Sequence, residues 1–314
     1  MGKAGKERAK ERREKRLQEI SELRKIPYPP ADRWWSSDTV AAVTGSCRGI
    51  GFEIARQLAV NGLRVVLTSR DPSRGVEAMS ALRMEGLDAD YCRLDITDDA
   101  SVRSFADWML TKHGGIDVLV NNAGVNFNKG SENSVEHAAE VIETNYFGTK
   151  RMIQTMIPLM RPSTFGARIL NVSSRLGRVD GRRNRLGDVA LKEQLLKEDC
   201  ISENLIDQMV ADFLQQVNDG SWVSNGWPQV FTDYSLSKLA VNAYTRLMAR
   251  ALSNRPAGHR IHINCYCPGW VRTSMTGWAG NISAEEGADT GVWAVLLSDS
   301  PDGNFFAERR ALTY

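Results

Sequence analysis

Metal-ligating residues, cysteine pairs and long apolar runs are all scarce in this sequence. Its 314 residues include four His and five Cys, and the histidines are scattered without the spacing of a metal site. No apolar run reaches the roughly 18 residues that a membrane-spanning helix needs. The net charge of +2 is too balanced to indicate a nucleic-acid partner. The sequence therefore predicts a globular protein with no metal site, no membrane span and no nucleic-acid partner.

The cysteines form no CxxC pair, and their number is odd. Cys265 and Cys267 lie in the apolar run IHINCYC, which is typical of a buried strand. Cysteine frameworks at regular spacing belong to secreted, disulfide-bonded proteins. This pattern instead predicts reduced cysteines in the core of a cytoplasmic protein.

The first 25 residues differ from the rest of the chain in charge density. They hold ten Lys and Arg against five Glu, and the proline-rich string IPYPP follows them. Mixed charge of this kind favours a helix that ends at the prolines. We expect residues 1–37 to form a charged N-terminal extension, either solvated and partly helical or acting as an arm that docks on a partner or a membrane surface.

From residue 38 onwards, short β-type runs alternate with longer stretches of helical period. The runs are TVAAVT, RVVLTS, ADYCRL, IDVLVN, RILNVS and RIHINCYC. This alternation predicts an α/β fold in which residues 38–314 form one domain with a doubly wound parallel sheet. The rhythm breaks at about residues 176–228, where a polar, helix-prone stretch predicts a helical insertion.

A glycine-rich turn, VTGSCRGIG, follows the first strand and opens a helix. Its glycines are Gly45, Gly49 and Gly51. A tight turn and a close approach to a pyrophosphate both require residues without side chains, and the helix N-terminus attracts the phosphates. Because the strand, turn and helix occur in this order, the string predicts a dinucleotide site in a Rossmann fold.

The end of the second strand indicates which dinucleotide binds. NAD-binding chains usually carry an acidic residue there for the ribose 2′-hydroxyl, whereas this chain has Ser69. Arg48, Arg70 and Arg74 lie close by and offer planar forks for a 2′-phosphate. We therefore expect NADPH/NADP+ as cofactor, although surface arginines are common and Asp71 is a contrary sign.

Tyr234 and Lys238 in TDYSLSKLA stand one helical turn apart, on one face. A Lys cation roughly 4 Å from the phenol would favour its ionised form by about 4 kcal/mol. This interaction would bring the tyrosine pKa from near 10 towards neutral pH, where the phenol can act as acid or base. The pair is therefore half of a predicted active site.

The motif spacing T-G-x-x-x-G-x-G resembles that of the short-chain dehydrogenase/reductase family, in particular its monomeric carbonyl reductase branch. The resemblance runs from about residue 38 to the end. It rests on the strings VTGSCRGIG, LTSRD, RLDIT, DVLVNNAG, TNYFGT, ILNVSS, YSLSK and CPGWVRT. It implies NADPH-dependent reduction of a ketone or aldehyde to an alcohol by hydride transfer, with a Tyr as proton donor.

The resemblance also implies roles for individual residues. Ser174 would hold the substrate oxygen, Tyr234 would donate the proton, Lys238 would hold the nicotinamide ribose, and Asn145 would hold a water behind the Lys. The other residues implied to contact the cofactor are Ser46, Ile50, Asp95, Ile96, Asn122, Val271 and Thr273.

The substrate pocket is expected to draw its walls from three stretches of the chain. They are the insertion with Trp222 and Trp227, the stretch after NNAG with Phe127, and the loop after PGWVRT with Met275 and Trp278. These residues are apolar and mostly aromatic, so a lipophilic ketone or quinone is the expected substrate class.

Ser174 and Tyr234 are 60 positions apart because the insertion separates them. In the carbonyl reductase branch such an insertion covers the face that other members use to form dimers, so the resemblance implies a monomer. Two other functions stay open. One is a double-bond (enone) reductase, in which we would expect the Tyr to be replaced. The other is a non-catalytic NADP-binding protein that interacts through its charged extension.

Overall fold

The computed structural model describes residues 3–128, 130, 133–181 and 184–314. These residues form one eight-stranded sheet in the order β3-β2-β1-β4-β5-β6-β7-β8, parallel except for the pairing of β7 with β8. The strands are β1 (Val40–Val43), β2 (Arg64–Ser69), β3 (Ala89–Arg93), β4 (Val118–Asn121), β5 (Ala167–Val172), β6 (Ile261–Tyr266), β7 (Phe305–Ala307) and β8 (Arg310–Leu312). The predicted doubly wound sheet is confirmed.

Helices cover both faces of the sheet, which explains why its central strands are apolar along their whole length. The helices are α1 (Lys3–Leu23), α2 (Gly49–Val60), α3 (Pro72–Met84), α4 (Asp99–His113), α5 (Ala138–Ile142), α6 (Gly148–Met156), α7 (Val189–Leu196), α8 (Glu203–Asp219), α9 (Thr232–Leu252) and α10 (Ala284–Leu296). A π-helical turn, Glu143–Phe147, joins α5 to α6. Alternate strand residues enter two separate cores: Val40 and Ala42 face α4, α6 and α9, while Ala41 and Val43 face α2 and α10.

The sequence pattern did not reveal β7 and β8. Each has only three residues, too few to show a period of two, and they form an antiparallel hairpin at the edge of the sheet. The backbone of β7 continues the sheet beside β6, where Cys265 and Tyr266 pair with Phe305 and Phe306.

The predicted insertion is helical, as expected. It contains α7 and α8, although its residues 182 and 183 lie outside the described part of the chain. The apolar side of α8 is buried against α5 and α9 through Ile206, Met209, Val210 and Phe213. Asp207 adds polar contacts, accepting hydrogen bonds from Tyr146 Oη at 2.7 Å and from Lys150 Nζ at 2.6 Å.

The N-terminal extension contains a helix, as expected, but parts of it are packed on the domain and are not solvated. Helix α1 ends at Leu23, before the prolines as predicted, but Ile20 is buried. Farther along, Trp35 is buried and its indole donates a hydrogen bond to Asn61 O at 2.8 Å. Residues 1 and 2 of the extension lie outside the described residues. Across the part of the chain that the structure covers, no helix has the length and apolar character needed to cross a membrane.

Candidate active site

A cleft of about 450 Å³ opens at the carboxyl ends of the central strands. Open α/β sheets bind ligands at this edge, where the strand order reverses beside β1. Residues predicted for the cofactor or the substrate line much of it. They are Gly45, Arg48, Gly49, Ile50, Gly51, Arg70, Asp95, Ile96, Asn122, Phe127, Thr273 and Met275.

The glycine-rich turn can form only because side chains are missing. Gly45 and Gly49 have φ of 62° and 60°, in the left-handed region. A Cβ atom on Gly51 would lie 2.3 Å from Asn122 Nδ2. Asn122 Nδ2 in turn donates hydrogen bonds to Thr44 O at 2.9 Å and Gly45 O at 3.0 Å. The side chain of Asn122 therefore braces the turn, while the residue also lines the cleft.

Ser46 has a different position from the one expected of a cofactor ligand. It is fully buried, its hydroxyl donates to Val43 O at 2.8 Å, and its oxygen accepts from Thr68 N at 2.9 Å. Its own backbone N–H donates to Thr68 O at 2.9 Å. Ser46 thus ties the glycine-rich turn to β2 and does not face the cleft.

The three predicted arginines divide between two neighbouring spaces. Arg48 and Arg70 line the main cleft, whereas Arg74 lines an adjoining cavity of about 430 Å³ that also reaches Arg48. Arg74 Nε lies 3.3 Å from a carboxylate oxygen of Asp71. Asp71 caps α3 by accepting from the backbone of Ser73 and Arg74. The Ser73 hydroxyl also donates to Asp71, and this hydrogen bond lowers the pKa of the carboxyl. Asp71, the contrary sign for NADP, is therefore a helix cap.

Three of the other residues predicted to contact the cofactor line the cleft, and Val271 does not. Asp95 and Ile96 line it, and Asp95 also accepts from the backbone and the hydroxyl of Thr97. Thr273 lines it next to Gly49. Val271 is 2% exposed and its backbone bridges to Ile282, so its side chain supports the loop from behind.

Ser174, Tyr234 and Lys238 are brought together where β5 ends against α9. Ser174 caps a 3₁₀ turn (Arg175–Gly177) directly after β5, and its side chain lies close enough to Tyr234 to lower the pKa of the phenol. Lys238 Nζ lies 5.7 Å from the Tyr234 ring centre and donates to Val172 O at 2.9 Å. The group adjoins the cleft at Gly124, which lines the cleft wall. Gly124 is next to Lys238, since a Cβ atom added to it would lie 3.6 Å from Lys238 Nζ.

Burial dominates the electrostatics of this group. It raises the pKa of Tyr234 well above its usual range, Cys267 adds to the effect, and the neighbouring Ser174 hydroxyl opposes it. Burial also lowers the pKa of Lys238 to about 8. The pKa of Tyr234 therefore shifts upward in this structure, opposite to the lowering expected from Lys238, because burial disfavours the phenolate.

Asn145 lies in the π-helical turn, a feature often found at functional sites. Its Oδ1 accepts from Val125 N at 2.7 Å, and its Nδ2 donates to Val125 O and to Ser237 Oγ, both at 2.9 Å. The side chain therefore joins the loop after β4 to α9, a structural role that the sequence pattern did not indicate.

The predicted substrate walls are only partly assembled at the cleft. Phe127 and Met275 line it, and the Phe127 ring packs on His137 with centroids 4.4 Å apart. Trp278 is 67% exposed. Trp227 is buried inside the insertion, where its ring packs edge-on against Phe213 and its indole donates to Gln216 at 2.7 Å. Its assignment to the pocket wall is corrected to the insertion core.

Asp233 is a residue of the site that the sequence analysis missed. It is 1% exposed, immediately precedes Tyr234, and accepts hydrogen bonds from Asn128 Nδ2 at 2.7 Å and Tyr234 N at 2.6 Å. Burial raises the pKa of its carboxyl. The bond to Asn128 ties the loop after β4 to the start of α9. The sequence feature that could have indicated Asp233 is its position directly before the predicted catalytic Tyr234.

Comparison with known proteins agrees with this geometry. The family model described as short chain dehydrogenase matches residues 39–185. The bovine (Bos taurus) protein named carbonyl reductase (NADPH) 1 is 37% identical over 285 residues, covering 89% of this chain and 99% of its own. The Capsicum annuum protein named (+)-neomenthol dehydrogenase is 35% identical over 320 residues, covering 89% and 98%.

Solved structures agree as well. Salutaridine reductase from Papaver somniferum has a TM-score of 0.76 and 35% identity, covering 85% of this chain and 99% of its own. Menthone neomenthol reductase from Mentha piperita has a TM-score of 0.71 and 33% identity, covering 86% and 98%. The relatives share more than 30% identity over nearly their whole lengths, so the chain belongs to the short-chain dehydrogenase/reductase family.

Proposed function

We propose that this chain reduces a ketone or aldehyde to an alcohol, with NADPH as the hydride donor and Tyr234 as the proton donor. The observation that carries the proposal is the assembly of Ser174, Tyr234 and Lys238 beside a cleft built for a dinucleotide. The names of the relatives, carbonyl reductase (NADPH) 1 and (+)-neomenthol dehydrogenase, support the same reaction class.

The residues that form the cleft fit a phosphorylated nicotinamide dinucleotide. The turn around Gly45 and Gly49 leaves room for a pyrophosphate at the N-terminus of α2, and Arg48 and Arg70 offer cationic forks for a 2′-phosphate. Asp71 is occupied as a helix cap and does not oppose this assignment. When bound, the cofactor supplies the hydride that adds to the carbonyl carbon.

The chain's own residues then handle the carbonyl oxygen. Ser174 can donate a hydrogen bond to it, and Tyr234 can transfer its phenolic proton as the carbon–oxygen double bond becomes a single bond. Burial keeps Tyr234 protonated at neutral pH, which is the form a proton donor needs. Lys238, with a pKa of about 8, can lose and regain a proton near physiological pH.

The proposed oligomeric state, cellular compartment and substrate class each have their own support. The insertion covers the α5 and α9 helices, which supports a monomer. All five cysteines are free, which supports a reducing compartment and hence a cytoplasmic protein. Phe127 and Met275 give the cleft apolar walls, which supports a small lipophilic carbonyl substrate.

A purified full-length chain, NADPH and a panel of ketones, aldehydes, quinones and enones would test the proposal. Cofactor oxidation measures turnover, and product analysis shows which bond was reduced. We expect an alcohol product. A saturated ketone from an enone would identify a double-bond reductase instead, and tight NADPH binding without turnover on any substrate would identify a binding protein.

A further inference from the structure

The turn between β7 and β8 has an unusual backbone. Its two residues, Glu308 and Arg309, have φ of 54° and 51°, in the left-handed region. Two-residue hairpin turns of this kind favour Asn-Gly, because other side chains crowd the backbone at positive φ. Residues in such conformations persist only where surrounding contacts hold them, and they cluster at functional sites.

Charged groups from two helices hold this turn in place. The Arg309 guanidinium donates to both oxygens of Asp289 on α10, at 2.9 and 2.5 Å, and Asp289 is 4% exposed. Arg24, directly after α1, forms an ion pair with the same carboxylate at 2.9 Å. Arg16 on α1 donates two hydrogen bonds to Glu308 O, at 3.2 and 2.9 Å. The N-terminal helix is thus part of the support.

The turn places the Glu308 carboxylate beside the catalytic segment. Glu308 Oε1 lies 2.9 Å from Arg175 Nη2, and the Glu308 side chain is 15% exposed. Arg175 follows Ser174 directly and opens the 3₁₀ turn whose next amide, Leu176 N, donates to Ser174 Oγ at 3.1 Å. A shift of Arg175 would therefore move the Ser174 hydroxyl, which lies beside Tyr234.

The far end of the same 3₁₀ turn has a second tie to the C-terminal segment. Arg178 donates to Thr313 O at 2.7 Å and to Thr313 Oγ1 at 2.6 Å. Across the turn, Gly177 packs on the backbone of Lys238. The segment after Ser174 is held between the last residues of the chain and α9.

We propose that Glu308 is a positioning residue for carbonyl reduction, acting through Arg175 on Ser174, and that the N-terminal helix supports it by holding the strained turn. The inference rests on the proposed function. Stability alone does not account for this arrangement, because Asn-Gly would relieve the backbone strain at the turn. Asn-Gly at this turn could not form the ion pairs that Glu308 makes with Arg175 and Arg309 makes with Asp289.

Glu308→Gln in the full-length chain tests the proposal, since it keeps the shape and removes the charge. Four quantities are measured: kcat, KM for the ketone, the NADPH dissociation constant, and amide hydrogen exchange of residues 174–178. We expect kcat to fall about tenfold, within the range that small misplacements cause. NADPH binding should be unchanged, and exchange at Leu176 and Gly177 should be faster.

Further variants separate positioning from general support. Glu308→Asp keeps the charge and should restore part of kcat. The double variant Arg16→Ala/Arg24→Ala should also lower kcat and speed the exchange of residues 174–178, by a smaller factor than Glu308→Gln. The matched control is Asp88→Asn, which breaks the exposed Arg64–Asp88 ion pair away from this segment and should leave both unchanged.

Three results would overturn the proposal: unchanged exchange in Glu308→Gln, faster exchange with unchanged kcat, or a loss of kcat that comes with weaker NADPH binding and a lower melting temperature. A wild-type chain without turnover would overturn the proposed function instead. In that case the exchange of residues 174–178 would still show whether Glu308 and the N-terminal helix hold the turn.

Discussion

Gly177 and Lys238 meet backbone to backbone across the candidate site. A Cβ atom on Gly177 would lie 2.4 Å from the carbonyl carbon of Lys238, closer than real Cβ contacts occur. Gly177 O also accepts a hydrogen bond from Asn242 Nδ2 at 2.9 Å. The 3₁₀ turn that follows Ser174 therefore approaches the helix of Tyr234 only because residue 177 has no side chain.

Gly177→Ala should lower both stability and turnover. Overpacking costs about 1–3 kcal/mol of unfolding free energy, and the displaced turn would move Ser174 away from Tyr234. Urea unfolding and ketone turnover measure the two effects. Gly291→Ala is the matched control, because its Cβ would lie 2.7 Å from the Tyr266 ring and should cost stability while leaving kcat intact. Normal kcat in Gly177→Ala would contradict the argument.

NADPH preference should depend on Arg48 and Arg70 together. Changing both to Ala removes the cationic groups that line the cleft, so the KM for NADPH should rise at least about tenfold, because hydrogen bonds to charged groups are worth about 1.5–3 kcal/mol. The KM for NADH should change little. Arg74→Ala is the comparison, since Asp71 already pairs with Arg74, and we expect a smaller effect. Equal effects on both cofactors would remove the arginines from 2′-phosphate recognition.

Tyr234→Phe should reduce kcat by roughly 10²–10⁴-fold, the usual contribution of a positioned general acid. The variant loses only the hydroxyl, so NADPH should bind as in the wild type, which cofactor fluorescence can measure. Tyr244→Phe provides the control, because Tyr244 is a buried tyrosine on the same helix. Wild-type-like turnover in Tyr234→Phe would exclude the residue as proton donor.

The architecture was predictable from local patterns, and its last two strands were not. Six strands were visible as apolar runs between helical stretches, and the glycine-rich turn followed the first of them. The hairpin of β7 and β8 has three-residue strands and a Glu-Arg turn that matches no turn signature. Its conformation depends on Asp289 and Arg16, which are distant in sequence.

Within the site, the sequence showed which residues carry chemistry but not what surrounds them. Tyr234 and Lys238 were identifiable from a spacing of four, yet the sign of the tyrosine pKa shift depends on burial that only the fold reveals. Trp227 was predicted as a pocket wall because it is aromatic and lies in the insertion. It is instead needed to fill the insertion core beside Phe213.

Lys238→Met should abolish turnover and yet stabilise the folded chain at neutral pH. The pKa of Lys238 falls from its ordinary value of 10.5 to about 8 on folding, so protonated Lys238 disfavours the folded state. Removing it should add about 2 kcal/mol at about pH 7, after allowing for the lost bond to Val172 O.

The pH dependence gives this prediction its sign. Between about pH 8 and 10.5 the unfolded chain still binds the Lys238 proton and the folded chain does not, so wild-type stability rises with pH in this window. The advantage of Lys238→Met should therefore shrink as pH rises, which urea unfolding at several pH values measures. Lys150→Met, which loses ion pairs to Glu203 and Asp207, should destabilise at neutral pH. A difference between wild type and Lys238→Met that does not vary with pH would contradict the argument.

The full-length chain should be a monomer, because its insertion occupies the face through which a second copy would pack. Met209 and Phe213 of α8 are buried against the core beneath α9, and Asp207 pairs with Lys150 at 2.6 Å. With this face covered by the chain itself, association would bury little additional apolar surface. Light scattering at micromolar concentration should give a mass near 34.9 kDa that does not change on dilution. A stable mass of twice this value would show that another surface pairs the copies and that covering by α8 does not prevent association.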